Sequence, residues 1–194
     1  MSGLVYRHVK QDGGAGQFAH VVLDVEAAGA PDKEGFVFRS AVAGGRVPRE
    51  YIRAVEAGCR DALAEGPLGH PVTGLRVTLT DGATHAKDSS EMAFPTAGRL
   101  GLREALRASV MQLLEPVAEV VVTARNDAMG GVLGDLAARR GHVLDSTVRA
   151  GTAVVTATVP LAELFGYANR LHGRTQGRGT FTARPTGYVP APPG

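Results

Sequence analysis

Residues 117–124, Val-Ala-Glu-Val-Val-Val-Thr-Ala, open the stretch whose reading decides the fold. They read as a strand, and the elements that follow read helix 128–140, strand 142–150, strand 152–159, helix 161–172 and strand 178–188. That order is βαββαβ, the split βαβ of ferredoxin-like domains, in which two helices cover one face of a four-stranded antiparallel sheet. The capping signals agree. Asn126 or Asp127 can accept the free N–H groups of the first helix, Gly141 closes it and Pro160 opens the second. The apolar stripe Leu161, Leu164, Phe165, Ala168 and Leu171 is expected to cover the sheet, which places Phe165 in the core rather than on an aromatic RNA platform.

Upstream of Glu115-Pro116 the pattern differs. Val21, Leu23 and Val25 alternate with His20, Val22 and Asp24, the period of a strand. After Gly44-Gly45, Pro48 suits a first helical turn, and Ile52, Val55, Cys59 and Ala62-Leu63 recur at helical spacing until Gly66. Leu75, Val77 and Leu79 alternate into Asp81-Gly82, followed by a polar loop from Ala83 to about Glu91. A helix is expected from Pro95 to Leu114, its start weakened by Gly98 and Gly101. The chain therefore divides into two α+β domains, residues 1–114 and 115–194.

Composition excludes several classes. Hydrophobic residues are 44% and charged residues 21% of 194, as in ordinary folded chains. The single Cys59 leaves no partner for an internal disulfide or a Cys-rich metal site, and a small core thiol is the expected role. No apolar run approaches the ~18 residues of a membrane span, and the start lacks a signal peptide, so a soluble cytoplasmic protein is expected. Net charge is only +2, not the footprint of a generic nucleic-acid binder. His85 with Asp88 and Glu91 is the one compact set of metal-ligand types, too few for zinc unless others join. Ser89-Ser90 sit in a capping context rather than on a nucleophile elbow.

Certain segments carry a resemblance. Lys10-Gln11-Asp12-Gly13-Gly14-Ala15-Gly16-Gln17-Phe18, Gly44 to Ile52, Gly66-Pro67-Leu68, His85, Asp88 to Phe94 and Leu113 to Pro116 stand in one order. So do Gly130 to Gly141, Pro160 to Ala168 and Thr175-Gln176-Gly177-Arg178-Gly179. Together they resemble the fourth and fifth domains of bacterial elongation factor G. The resemblance implies that the first domain has the fold of the second domain of a small-subunit ribosomal protein, with a left-handed βαβ crossover. General rules alone would give a right-handed one. It also implies that nucleotide hydrolysis lies elsewhere: the sequence contains no Gly-x-x-x-x-Gly-Lys-Ser/Thr phosphate loop, so this chain is expected to be non-catalytic and to need no cofactor, GTP and magnesium belonging to an absent domain.

The family's first-domain tip loops match Lys10 to Phe18 and Gly82 to Glu91. By resemblance they enter the small-subunit decoding site and touch tRNA and mRNA during translocation. His85 is the leading candidate RNA contact, with Lys87, Lys10 and Gln11 beside it. Gly13, Gly14 and Gly16 would let backbone approach a phosphate or sugar, and Asp88 and Ser89 would shape the loop. The second domain is implied to face the large-subunit stalk base, with Arg139, Arg140, Arg174 and Arg178 as candidate contacts. Arg139 and Arg140 could equally serve as helix-end cations. Ala15, Ala86-Lys87 and Pro95 to Gly98 depart from the family pattern, which suggests a divergent relative. Two classes stay open: the ribosome-facing part of a translation factor, or a stand-alone monomeric binding protein that competes for the ribosomal site or sequesters an antibiotic.

Overall fold

The computed structural model describes residues 1–10, 17–28, 35–85 and 92–192, in two compact units that divide between Met111 and Gln112. The first unit runs β1 (Leu4–Lys10), β2 (Gln17–Ala27), β3 (Phe36–Ser40), α1 (Arg49–Leu63), β4 (Leu75–Ala83) and α2 (Ala93–Arg107). Its sheet order is β1-β2-β4-β3, antiparallel except for the β3–β4 pair, which α1 connects in parallel. The alternation read from sequence has a physical target: Ala19, Val21, Leu23 and Val25 of β2, with Val77 and Leu79 of β4, are buried beneath Val55, Cys59 and Ala62 of α1 and Phe94, Ala97, Leu102 and Leu106 of α2. Tyr51 stacks on Phe94 with ring centroids 4.4 Å apart.

Strands β1 and β3 have no counterpart in the sequence reading. β1 places Leu4 and Tyr6 against the core yet carries Val5 and Val9 on the open face, so apolar residues on both sides blur its period. β3 is a five-residue edge strand, Phe-Val-Phe-Arg-Ser, with the same ambiguity. Helix α2 also differs from expectation. It starts at Ala93, with Pro95 in the first turn where its missing N–H costs nothing, and stops at Arg107 rather than Leu114. The Ser109 hydroxyl donates back to the Ala105 carbonyl (2.8 Å), and Leu114 is taken by the second sheet, opposite Pro190. The domain limit accordingly falls before residue 114.

The second unit runs β5 (Leu114–Arg125), α3 (Met129–Ala138), β6 (His142–Arg149), β7 (Thr152–Pro160), α4 (Tyr167–Arg174) and β8 (Thr180–Pro190). All its strands are antiparallel in the order β6-β7-β5-β8. The ferredoxin-like arrangement follows from two central strands, β5 and β7, whose Val120, Val122, Val155, Ala157 and Val159 meet α3 and α4 in one core.

The helix expected over 161–172 is broken. Leu161–Leu164 form a 3₁₀ turn, Gly166 takes φ +71° and α4 restarts at Tyr167. The left-handed residue rotates the stripe, so Phe165 is 93% exposed while Tyr167 is 1% exposed and packs edge-on against Phe181 (4.9 Å). The core assignment of Phe165 is thereby corrected: Tyr167 fills the place.

Candidate nucleic-acid interface

Strand register decides what lies at the end of the first sheet. β1 and β2 pair from Leu4↔Leu23 to Lys10↔Gln17, and the last β2–β4 pair is His20↔Ala83. Lys10, Gln17 and Ala83 therefore share one sheet end, and His85 follows two residues beyond the ladder. The His85 ring centroid is 6.0 Å from that of Phe18 at 57°, and the Arg7 guanidinium stands 5.2 Å over the Phe18 ring. His8 Nε2 lies 3.1 Å from Gln17 Oε1 across the same strand pair. Arg7, Lys10 and His85 are exposed.

The floor of this end is braced. Asp81 accepts the Gly82 N–H (2.9 Å) and pairs with Arg46 (3.0 Å). Gly82 is required, because a Cβ there would stand 2.7 Å from Val47 Cγ2 and 2.8 Å from the His20 carbonyl oxygen. The segment from Gly44 to Pro48 thus fixes the exit of β4, a role that sequence reading did not assign to it. Arg7 and Arg46 were also missed as parts of this end, and Phe18 was named only as the last residue of a tip loop. Extending the β2–β4 register past His20↔Ala83 would have paired Phe18 with His85. Gln11, Gly13, Gly14, Gly16, Lys87, Asp88 and Ser89 lie outside the described residues.

In the second unit the basic candidates separate into two kinds. Asp135, 5% exposed, gathers Arg139 Nε (3.4 Å), Arg170 Nε (3.3 Å) and Arg174 Nε (3.9 Å). Arg139 also donates to the Glu163 and Phe165 carbonyl oxygens and lies 5.1 Å over the Tyr167 ring. Burial, reinforced by the Asp135 carboxylate, pushes the Tyr167 hydroxyl up to about 12. Arg140 makes a two-pronged pair with Glu115 (2.5 and 2.9 Å) and reaches Glu163 (3.1 Å). Its hydrogen bonds hold the Glu115 carboxyl below the usual range. Arg139 and Arg140 are therefore held by several partners each within the unit, whereas Arg170 and Arg174 are paired with Asp135 from partly exposed side chains and Arg178 is exposed. Arg178 projects from a tight turn: Thr175 Oγ1 donates to the Leu171 carbonyl and accepts the Gly179 N–H (2.7 and 2.8 Å). Among the described residues no three His, Cys, Asp or Glu side chains cluster as metal ligands, and no helix is long and apolar enough to cross a membrane.

The two units coincide with two family matches. A family model described as "Elongation factor G, domain IV" matches residues 2–110, and one described as "Elongation factor G C-terminus" matches residues 112–194. The chain belongs to the elongation factor G family. It is 75% identical over 198 aligned residues to Elongation factor G 2 of Streptomyces coelicolor, covering 99% of this chain and 29% of that protein. Among solved structures, a crystal structure of a Thermus thermophilus protein superposes with a TM-score of 0.90 at 35% identity, covering 99% of this chain and 28% of the other. The chain thus spans under a third of the length of these relatives, in regions without the nucleotide-binding motif.

Proposed function

We propose that this chain is the ribosome-binding portion of a translation elongation factor, acting by shape and charge and making or breaking no covalent bond. The observation that carries the reading is the convergence of Lys10, Phe18 and His85 on one braced end of a packed sheet. Such an end suits RNA in a distorted or single-stranded region, where stacking on planar side chains and contacts to phosphate and 2′-hydroxyl replace a base code. In this reading the end of the first unit enters the decoding site of the small subunit as tRNA and mRNA advance, with Gln11, Gly13, Gly14, Gly16, Lys87, Asp88 and Ser89 completing the contact. Arg174 and Arg178, joined by Arg170, face phosphate near the stalk base of the large subunit. Arg139 and Arg140 act indirectly, Arg139 by fixing the Glu163 and Phe165 carbonyls and Arg140 by tying the Glu115 and Glu163 carboxylates together. The protein works as a cytoplasmic monomer, and the energy of GTP hydrolysis comes from domains that longer relatives carry.

Co-sedimentation with purified ribosomes tests this. Replacing His85 with alanine should weaken binding by about tenfold, the scale of one lost stacking contact. Binding should also decline steeply with salt as phosphate contacts release counterions. Equal pelleting of the two proteins across a salt series would refute the reading.

A further inference from the structure

We propose that Arg7 and Phe18 are positioning residues that hold the imidazole of His85 in a fixed place at the end of the first sheet. The proposal deepens the RNA-contact reading of His85 and rests on it for its functional consequence, though not for its geometry. Three elements supply the parts: Arg7 from β1, Phe18 from β2 and His85 from the chain leaving β4.

The register shows why they meet. Arg7 pairs with His20 and Val9 with Phe18, so Arg7 and Phe18 are diagonal neighbours on the sheet face opposite the helices, within reach for a long side chain over a ring. β2 continues antiparallel to β4 through Val21↔Gly82 and His20↔Ala83, so the same count brings residue 85 opposite residue 18 after the ladder has ended. The 6.0 Å centroid separation and 57° tilt lie within the range favoured by aromatic pairs.

Phe18 is only half-buried: it stands with Val22 on the open face of β2, whose Ala19, Val21, Leu23 and Val25 are buried on the helix side. An aromatic ring on the open face of a sheet has no core to fill. Its occupied neighbours, a guanidinium over the ring and an imidazole beside it, give it a use: a residue beyond the last ladder pair keeps its ring oriented before RNA arrives. Orientation supplied in advance lowers the ordering cost of binding. A base can then stack on an imidazole that no longer has to be immobilised.

The test uses the whole 194-residue chain. Side-chain NMR of His85 in the free protein should show ring protons displaced by the Phe18 ring current, lost in Phe18→Leu, retained in Phe18→Tyr and reduced in Arg7→Gln. Unchanged amide shifts in α1 and α2, on the far face of the sheet from Phe18, certify that each variant is folded. In ribosome binding, Phe18→Leu should weaken affinity about two- to tenfold, as expected for one aromatic pair, and should have no further effect in a His85→Ala background. The proposal is overturned if His85 shifts are the same in the wild type and Phe18→Leu, or if Phe18→Leu weakens binding equally with and without His85. Should His85→Ala bind as tightly as wild type, the RNA-contact reading fails, and the ring-current comparison alone then decides whether Arg7 and Phe18 place the imidazole.

Discussion

Gly58 and Gly98 let α1 and α2 approach until backbone meets backbone. A Cβ on Gly98 would stand 2.6 Å from the Val55 carbonyl oxygen, and one on Gly58 would run into the Pro95 carbonyl. Cys59 lies in the same crossing, with its thiol 3.7 Å from the Gly98 carbonyl and pushed up to about 12 by burial. Two effects of Gly98→Ala oppose each other. Helix propensity gains about 1 kcal/mol, while overpacking costs about 1–3 kcal/mol. Because the obstructing atom is backbone and cannot swing aside, the cost should win, and urea unfolding should show a lower midpoint for Gly98→Ala than for wild type. A midpoint at or above wild type would mean that the helices can separate without loss. Sequence reading took Gly98 only as a weak helix former, because the partner that makes it necessary, Val55, lies more than forty positions away. Cys59 was legible as core from its place on the apolar stripe, which needs no knowledge of the partner.

At the scale of elements, the connection from β7 to α4 shows how far periodicity reaches. Leu161, Leu164, Phe165, Ala168 and Leu171 keep helical spacing, yet Gly166 at φ +71° resets the phase and exchanges Phe165 for Tyr167. What replaces helical continuity is polar: Arg139 donates to the carbonyls on either side of Leu164, and Arg140 ties Glu115 of β5 to Glu163. No short-range pattern announces a brace between residues this far apart. It should nevertheless be visible in acid. The Arg140 hydrogen bonds lower the Glu115 carboxyl below its ordinary value of 4.5, so their stabilisation is fully present above that value and is lost as pH falls through the lower folded-state value. Glu115→Gln should be less stable than wild type at neutral pH, with a shallower loss of stability below about pH 4.5. Hydrogen exchange of β5 amides at pH 7 and pH 3.5 reads both effects, and parallel pH profiles for the two proteins would remove Glu115 from the account.

Over the whole molecule, the two units differ in what the sequence could reveal. The ferredoxin-like unit was legible in element order because its central strands β5 and β7 are long and β-branched. The capping by Asn126 or Asp127 expected from sequence does not form, since α3 starts at Met129 behind Ala128 with no side-chain cap. The first unit hid two edge strands whose apolar residues face both ways, and its candidate site was legible only in pieces, since Lys10, Phe18 and His85 meet through the pairing of strands distant in sequence. Charge is divided too: residues 112–194 hold eight arginines against six acids, while residues 1–111 are balanced, so the formal surplus of +2 belongs to the second unit. The first unit must then rely on a few placed groups rather than a general field, and its salt dependence should be modest. Each unit has its own core, and Met111 still packs on the first. Residues 1–111 expressed alone should therefore unfold cooperatively in urea, since a chain of this length buries well over half the surface it exposes when unfolded. Their ribosome affinity should fall with salt along a slope of about 2 to 3, as expected for three or four phosphate contacts to single-stranded RNA, and less steeply than that of the full chain. A slope equal to that of residues 1–194 would assign every phosphate contact to the first unit and leave Arg170, Arg174 and Arg178 without a role in binding.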